Sequence, residues 1–166
     1  LSLQQREHAK DALRRLIQIA DHTGQHGELK AHLVTLRRVS GRRLPSEIAY
    51  IYAKSLLRRN QAKQALEVLD EMPKNSLDSV KATYMTGVAL VVQTKYKQAI
   101  EKFDQAAKSS LHWQKQPKIS AENRRHLHRI WELSQMNRGR VFYEIGDLGR
   151  SVDAYQNISR SSPLFE

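Results

Sequence analysis

At 166 residues, with 40% hydrophobic and 27% charged side chains, the chain has the size and composition of one compact unit or a short solenoid, which excludes wholesale disorder and two ordinary domains joined by a linker. The absence of cysteine excludes a disulfide framework and thiolate metal sites, and the longest apolar stretch, Val88 to Val92, falls far short of the roughly 20 residues needed to cross a bilayer. A formal net charge of +11 favours an acidic partner such as a protein patch, nucleic acid or anionic lipid.

The chain opens on Leu1 without a charged-then-apolar leader, the pattern expected of a processed product or an excised piece. Most of the positive excess lies in residues 1–60, with 12 basic and 5 acidic side chains, and much of it comes as the pairs Arg14-Arg15, Arg37-Arg38, Arg42-Arg43 and Arg58-Arg59. Asp21, His22, His26 and His32 form the one group resembling metal ligands. Gly24 and Gly27 predict a loop there, so these are read as surface histidines, and no metal is assigned.

A repeat organises the middle of the chain. Ala53, Leu56, Asn60, Ala62, Ala65, Leu69 and Met72 are followed 34 residues later by Gly87, Leu90, Thr94, Tyr96, Ala99, Phe103 and Ala106. A third copy, Gly139, Phe142, Gly146, Leu148, Ser151, Tyr155, Ile158 and Pro163, is displaced by 52, so 18 residues are inserted before it. Upstream, Ala20, Leu29, Leu36 and Val39 give a degenerate copy at an offset of 33, with His32 in the place of the alanine. The small residues suit the points where two helices approach closely, and the large ones between them fill the seams.

This 34-residue pattern resembles the tetratricopeptide repeat family. The resemblance implies an all-α chain, a right-handed α-solenoid of antiparallel helical hairpins. A single domain over 1–166 is expected, with hairpins at about 2–44, 46–75 and 78–108, an insertion at about 109–128, and a last hairpin with a long first helix at about 120–160. Arg59-Asn60, Gln93-Thr94 and Gly146-Asp147 mark turns within hairpins. Pro73 comes about four residues early for the family and predicts a short second helix before it. Ser120 before Ala121-Glu122-Asn123 reads as an N-cap opening a helix from about 121 to 145.

Neither a nucleophile with its base, nor paired carboxylates, nor a phosphate-binding glycine loop is found, which predicts a non-enzymatic protein without cofactors, its acidic residues lying mainly on exposed faces. By the family's register, the first helices of the hairpins line a groove, here through Tyr50, Lys54, Leu57 and Arg58, then Lys81, Tyr84, Val88, Val91 and Val92, then Met136, Arg140 and Tyr143. These suit a peptide or partner protein of acidic character. Tyr50, Lys54 and Met85 stand where some family members place the lysine and asparagines that grip a C-terminal carboxylate, so that clamp is not expected. Arg37, Arg38, Arg42, Arg43, Arg124, Arg125 and Arg129 form an accessory basic surface. Two alternatives stand beside the scaffold reading: a nucleic-acid-binding repeat protein, from the charge and arginine pairs, and the interaction module of a larger enzyme. The last repeat is worded like bacterial tetratricopeptide proteins, which implies a soluble protein of the cytoplasm or the cell envelope and periplasm.

Overall fold

The computed structural model describes residues 3–40 and 44–164, without the side chains of Leu3, Arg6, His26 and Ser40. The predicted surface residues Arg42 and Arg43 lie outside the described residues. Among the described residues there are eight helices and no strand: α1 Leu3–Thr23, α2 His26–Ser40, α3 Ser46–Arg58, α4 Ala62–Asp70, α5 Leu77–Val92, α6 Tyr96–Gln114, α7 Ala121–Glu144 and α8 Leu148–Gln156. They form two compact units, Leu1–Pro73 and Lys74–Glu166, each built of two hairpins. None of the helices is long and apolar enough to cross a membrane.

All four hairpins turn by the same device. The N–H of Gln25 donates to the carbonyl of Ala20, Gln61 to Leu56, Lys95 to Leu90 and Asp147 to Phe142, each bond 2.8–2.9 Å long. Inside each of these lies a shorter loop: Gly24 donates to Asp21, Asn60 to Leu57, Thr94 to Val91 and Gly146 to Tyr143. This is the paired bonding of a Schellman motif, which satisfies the last helical carbonyls and requires a left-handed residue. Gly24, Asn60, Thr94 and Gly146 supply it, with φ of +74°, +58°, +57° and +80°. The turns predicted at Asn60, Thr94 and Gly146 are therefore observed.

These turns correct the register of the first hairpin. They align Ala20 with Leu56, an offset of 36 rather than 33, so Leu29, not His32, occupies the place of Ala65 and Ala99. Leu29, Ala65, Ala99 and Ser151 each donate their N–H to the residue just after the left-handed position, which fixes the equivalence. Ile17 then stands where the other hairpins have Ala53, Gly87 and Gly139. Two large aliphatic residues thus replace two small ones, and both are buried, in a cluster with Ala20, Leu33, Leu36 and Ile48. The loop is also shorter than expected, because Gly27 lies inside α2 and only Gly24 and Gln25 connect the helices.

In the other hairpins the small and large positions are matched in size. Ala53 and Leu69 occupy the places that Gly87 and Phe103, and Gly139 and Tyr155, take further on. A Cβ on Gly87 would lie 2.6 Å from the Phe103 ring, and one on Gly139 would lie 2.8 Å from the Tyr155 ring. Each aromatic ring lies over a glycine, whereas the smaller leucine is matched with alanine. At the last hairpin the Ser151 hydroxyl, buried, also donates to the Gly139 carbonyl at 2.9 Å.

The helix before the early Pro73 is short as predicted, α4 having 9 residues, although α8 is equally short without a proline at the equivalent place. Past Pro73, Asn75 turns the chain at φ +54°, and Ser76 and Ser79 cap α5 reciprocally. The inserted segment is largely helical. It extends α6 to 19 residues and α7 to 24, leaving a connection from Lys115 to Ser120, and the Ser120 hydroxyl caps α7 as predicted by accepting from the Asn123 N–H at 3.1 Å. The third hairpin, expected to end at about 108, runs on as α6 through Gln114, and Ser110 is fully buried within that helix.

Candidate protein-binding surface

In the first unit, Tyr50, Lys54, Leu57 and Arg58 fall along one stripe of α3, as their spacing requires. This stripe faces the last turn of α1, where Asp21 draws three of them together. Arg58 Nη1 lies 2.9 Å from the Asp21 carboxylate and Lys54 Nζ lies 3.9 Å from it. Burial pushes the Tyr50 phenol above its ordinary pKa, and the negative charge of Asp21 adds to the effect. Asp21 is only 14% exposed, so it neutralises part of the cationic stripe from inside the unit. Sequence proximity groups Asp21 with His22 and His26, whereas in the fold its partners are on α3. Among the described residues no cluster of three metal-ligating side chains occurs; the His26 side chain lies outside them.

In the second unit, α5 carries Lys81, Tyr84, Val88, Val91 and Val92, and α7 carries Met136, Arg140 and Tyr143. The two helices touch, and the turn register makes Met136 equivalent to Tyr84, Arg140 to Val88 and Tyr143 to Val91. These residues differ in how open they are. Tyr84 is half-buried: its hydroxyl accepts from Asn137 Nδ2 at 3.0 Å, its ring tilts against Phe103 at 5.9 Å, and it packs on the Val80, Leu127 and Ile130 cluster. Trp113 packs on the same cluster. Val88, Val91 and Met136 are half-buried, whereas Arg140 is exposed, Val92 is 39% exposed and Tyr143 is 64% exposed. The open part of this face is thus the end formed by Val92, Arg140 and Tyr143, next to the two hairpin turns. Lys81 lies at the other end, beside a hollow lined by Asp78, Asn123, His126 and Ile130.

The accessory arginines divide in the same way. Arg37 lies 3.8 Å from Glu71 and Arg38 is exposed, both in the first unit. In the second, Arg124 donates to the Gln114 carbonyl, Arg125 is exposed, and Arg129 lies 3.9 Å from Glu132. Glu132 is only 4% exposed, with His128 Nε2 at 3.7 Å. Among the described acidic residues, which lie mainly on exposed faces as expected, Glu132 is the buried exception; a carboxylate at this depth is tolerated because the Arg129 guanidinium and His128 lie beside it.

Among known families, the model described as "Anaphase-promoting complex, cyclosome, subunit 3" matches residues 25–106. The match runs from the connection before α2 into α6 and includes both copies of the exact 34-residue register. No curated protein matches the chain.

Proposed function

Because the chain is a tetratricopeptide-type repeat protein, and such repeats mediate protein–protein interaction, we propose that it is a non-catalytic scaffold that holds an acidic peptide or partner protein against the first helices of its hairpins. The observation that carries this reading is the open end of the α5–α7 face, where Tyr143, 64% exposed, stands in register with Val91, beside exposed Val92 and Arg140. A large aromatic and an arginine are residue types that anchor interfaces, and the exposed valine adds apolar area that a partner can cover. In the first unit, Tyr50, Lys54, Leu57 and Arg58 form the corresponding contact stripe, its charge tempered by Asp21. The matched family model describes a subunit of a complex, which agrees with work in an assembly.

Affinity capture from the native cell followed by mass spectrometry tests this. Wild-type protein should retain a defined set of partners that an Arg140→Ala/Tyr143→Ala variant loses. Capture of the same set by both proteins would sink the assignment of this face.

A further inference from the structure

Away from the α5–α7 face, the helical extensions contributed by the insertion border a second feature, open to solvent. A cavity of about 850 Å³ opens between the end of α6 and the start of α7, with Pro163 at its edge. Gln114, Arg124, Arg125, His128, Arg129 and Glu132 line it. Buried Glu132 has His128 Nε2 at 3.7 Å and Arg129 Nη1 at 3.9 Å, both beyond hydrogen-bond length. Gln114 Nε2 and Arg129 Nη1, on two of the lining residues, are buried without a hydrogen-bond acceptor. Cationic side chains are thus in surplus here: three arginines line the opening against the single carboxylate of Glu132, and Arg124 and Arg125 are exposed.

We propose that this cavity is a docking site, separate from the α5–α7 face, for an acidic segment of a partner protein, which inserts a carboxylate between Arg124, Arg125 and Arg129 and lays an apolar side chain on the stems of those arginines and on Ala121 and Pro163. A carboxylate brings acceptors only, and the exposed guanidinium groups of Arg124 and Arg125 can bind it in bidentate geometry. The cluster is compact and carries Glu132 at its base, so it matches one or two carboxylates better than a phosphate backbone, which needs an extended cationic track. The arginine stems and Pro163 give the opening an apolar wall that a peptide side chain can use and a sugar-phosphate chain cannot.

The test uses a fluorescein-labelled peptide of alternating glutamate and phenylalanine, its glutamine counterpart, and labelled single-stranded RNA, each titrated by fluorescence anisotropy. The acidic peptide should bind in preference to both others. Arg124→Gln/Arg125→Gln should weaken it by roughly tenfold or more, the loss expected for a charge-assisted hydrogen bond. Glu132→Gln, which removes the competing carboxylate, should tighten it, and Lys97→Gln, a charge loss at an exposed site outside both faces, should leave it unchanged. Circular dichroism establishes that the variants remain helical. Equal binding of the glutamine peptide overturns the proposal, as does unchanged affinity in the double variant. Tighter RNA binding that the double variant abolishes would assign the cavity to nucleic acid instead and overturn it equally.

Discussion

A Cβ built on Gly87 would lie 2.6 Å from Cε1 of Phe103, closer than packed carbon atoms ever come. Phe103 is fully buried, so its ring cannot retreat into solvent. Gly87→Ala is therefore expected to destabilise the second unit by about 1–3 kcal/mol, the cost of overpacking, despite alanine's better helix propensity. Ala53 and Leu69, the equivalent residues of the preceding hairpin, show which pair fits together. Adding Phe103→Leu to Gly87→Ala should accordingly cost less than the two separate changes combined. Urea denaturation of the four proteins of this double-mutant cycle measures the coupling, and simple additivity would refute the matched-pair account.

The left-handed turn residues make a second comparison possible. Gly24 and Gly146 adopt positive φ without steric penalty, and asparagine at 60 tolerates it, but Thr94 is β-branched at φ +57°. Its hydroxyl donates to the Gln93 carbonyl, which offsets only part of the strain. Thr94→Gly should stabilise the protein by about 1 kcal/mol, while Asn60→Gly should change little. Thermal unfolding reads both, and a loss of stability in Thr94→Gly would mean that the hydroxyl contact outweighs the backbone strain.

How far the sequence discloses the fold depends on which physical constraint each residue meets. Gly87, Gly139, Ala65 and Ala99 are small because helices approach closely there, so their 34- and 52-residue spacings are legible without coordinates. The first hairpin satisfies the same geometry with Ile17 and Leu29, which removes the signal and shifts the apparent register by three residues. Turn chemistry would have recovered it, since Gly24 occupies the left-handed position that Asn60 and Thr94 fill later. Interactions between distant positions left no local mark. Asp21 meets Arg58 across 37 residues and Tyr84 meets Asn137 across 53, so neither the partial neutralisation of the α3 stripe nor the packing duty of Tyr84 could be read from spacing. Glu132 looks like any exposed helical glutamate until the extension of α6 to Gln114 is known.

Tyr50 gives a pH prediction whose sign follows from its surroundings. Burial raises its pKa above the ordinary value of 10.0, and Asp21 raises it further. The folded protein therefore holds the phenolic proton more tightly than the unfolded chain. This contribution is intact below pH 10 and is lost as pH rises from there through the raised pKa, so stability declines across that alkaline window. Ultraviolet difference titration against Tyr50→Phe should show the Tyr50 phenolate appearing above the ordinary pKa of 10.0. Asp21→Asn should shift that transition down only in part, because burial is the larger cause. A Tyr50 transition at the ordinary value in the folded protein would contradict the burial of its hydroxyl end.

The outward side of α8 supplies a last prediction through the repeat register. Leu148 and Val152 are equivalent to Tyr96 and Ile100 of α6, which are half-buried in a helix flanked by α5 and α7. In α8 the same positions are 59% and 53% exposed. Replacing Ile100 by serine should cost roughly 1–3 kcal/mol, from lost burial and a poorly packed hydroxyl. Replacing Leu148 and Val152 together by serine should stay within about 0.5 kcal/mol, as surface substitutions do, and should reduce adhesion of the protein to hydrophobic resin. Denaturation at two protein concentrations makes the comparison decisive. If the serine pair in α8 is as damaging as the one change in α6, and more so at the higher concentration, then a second copy of the chain covers that face in solution.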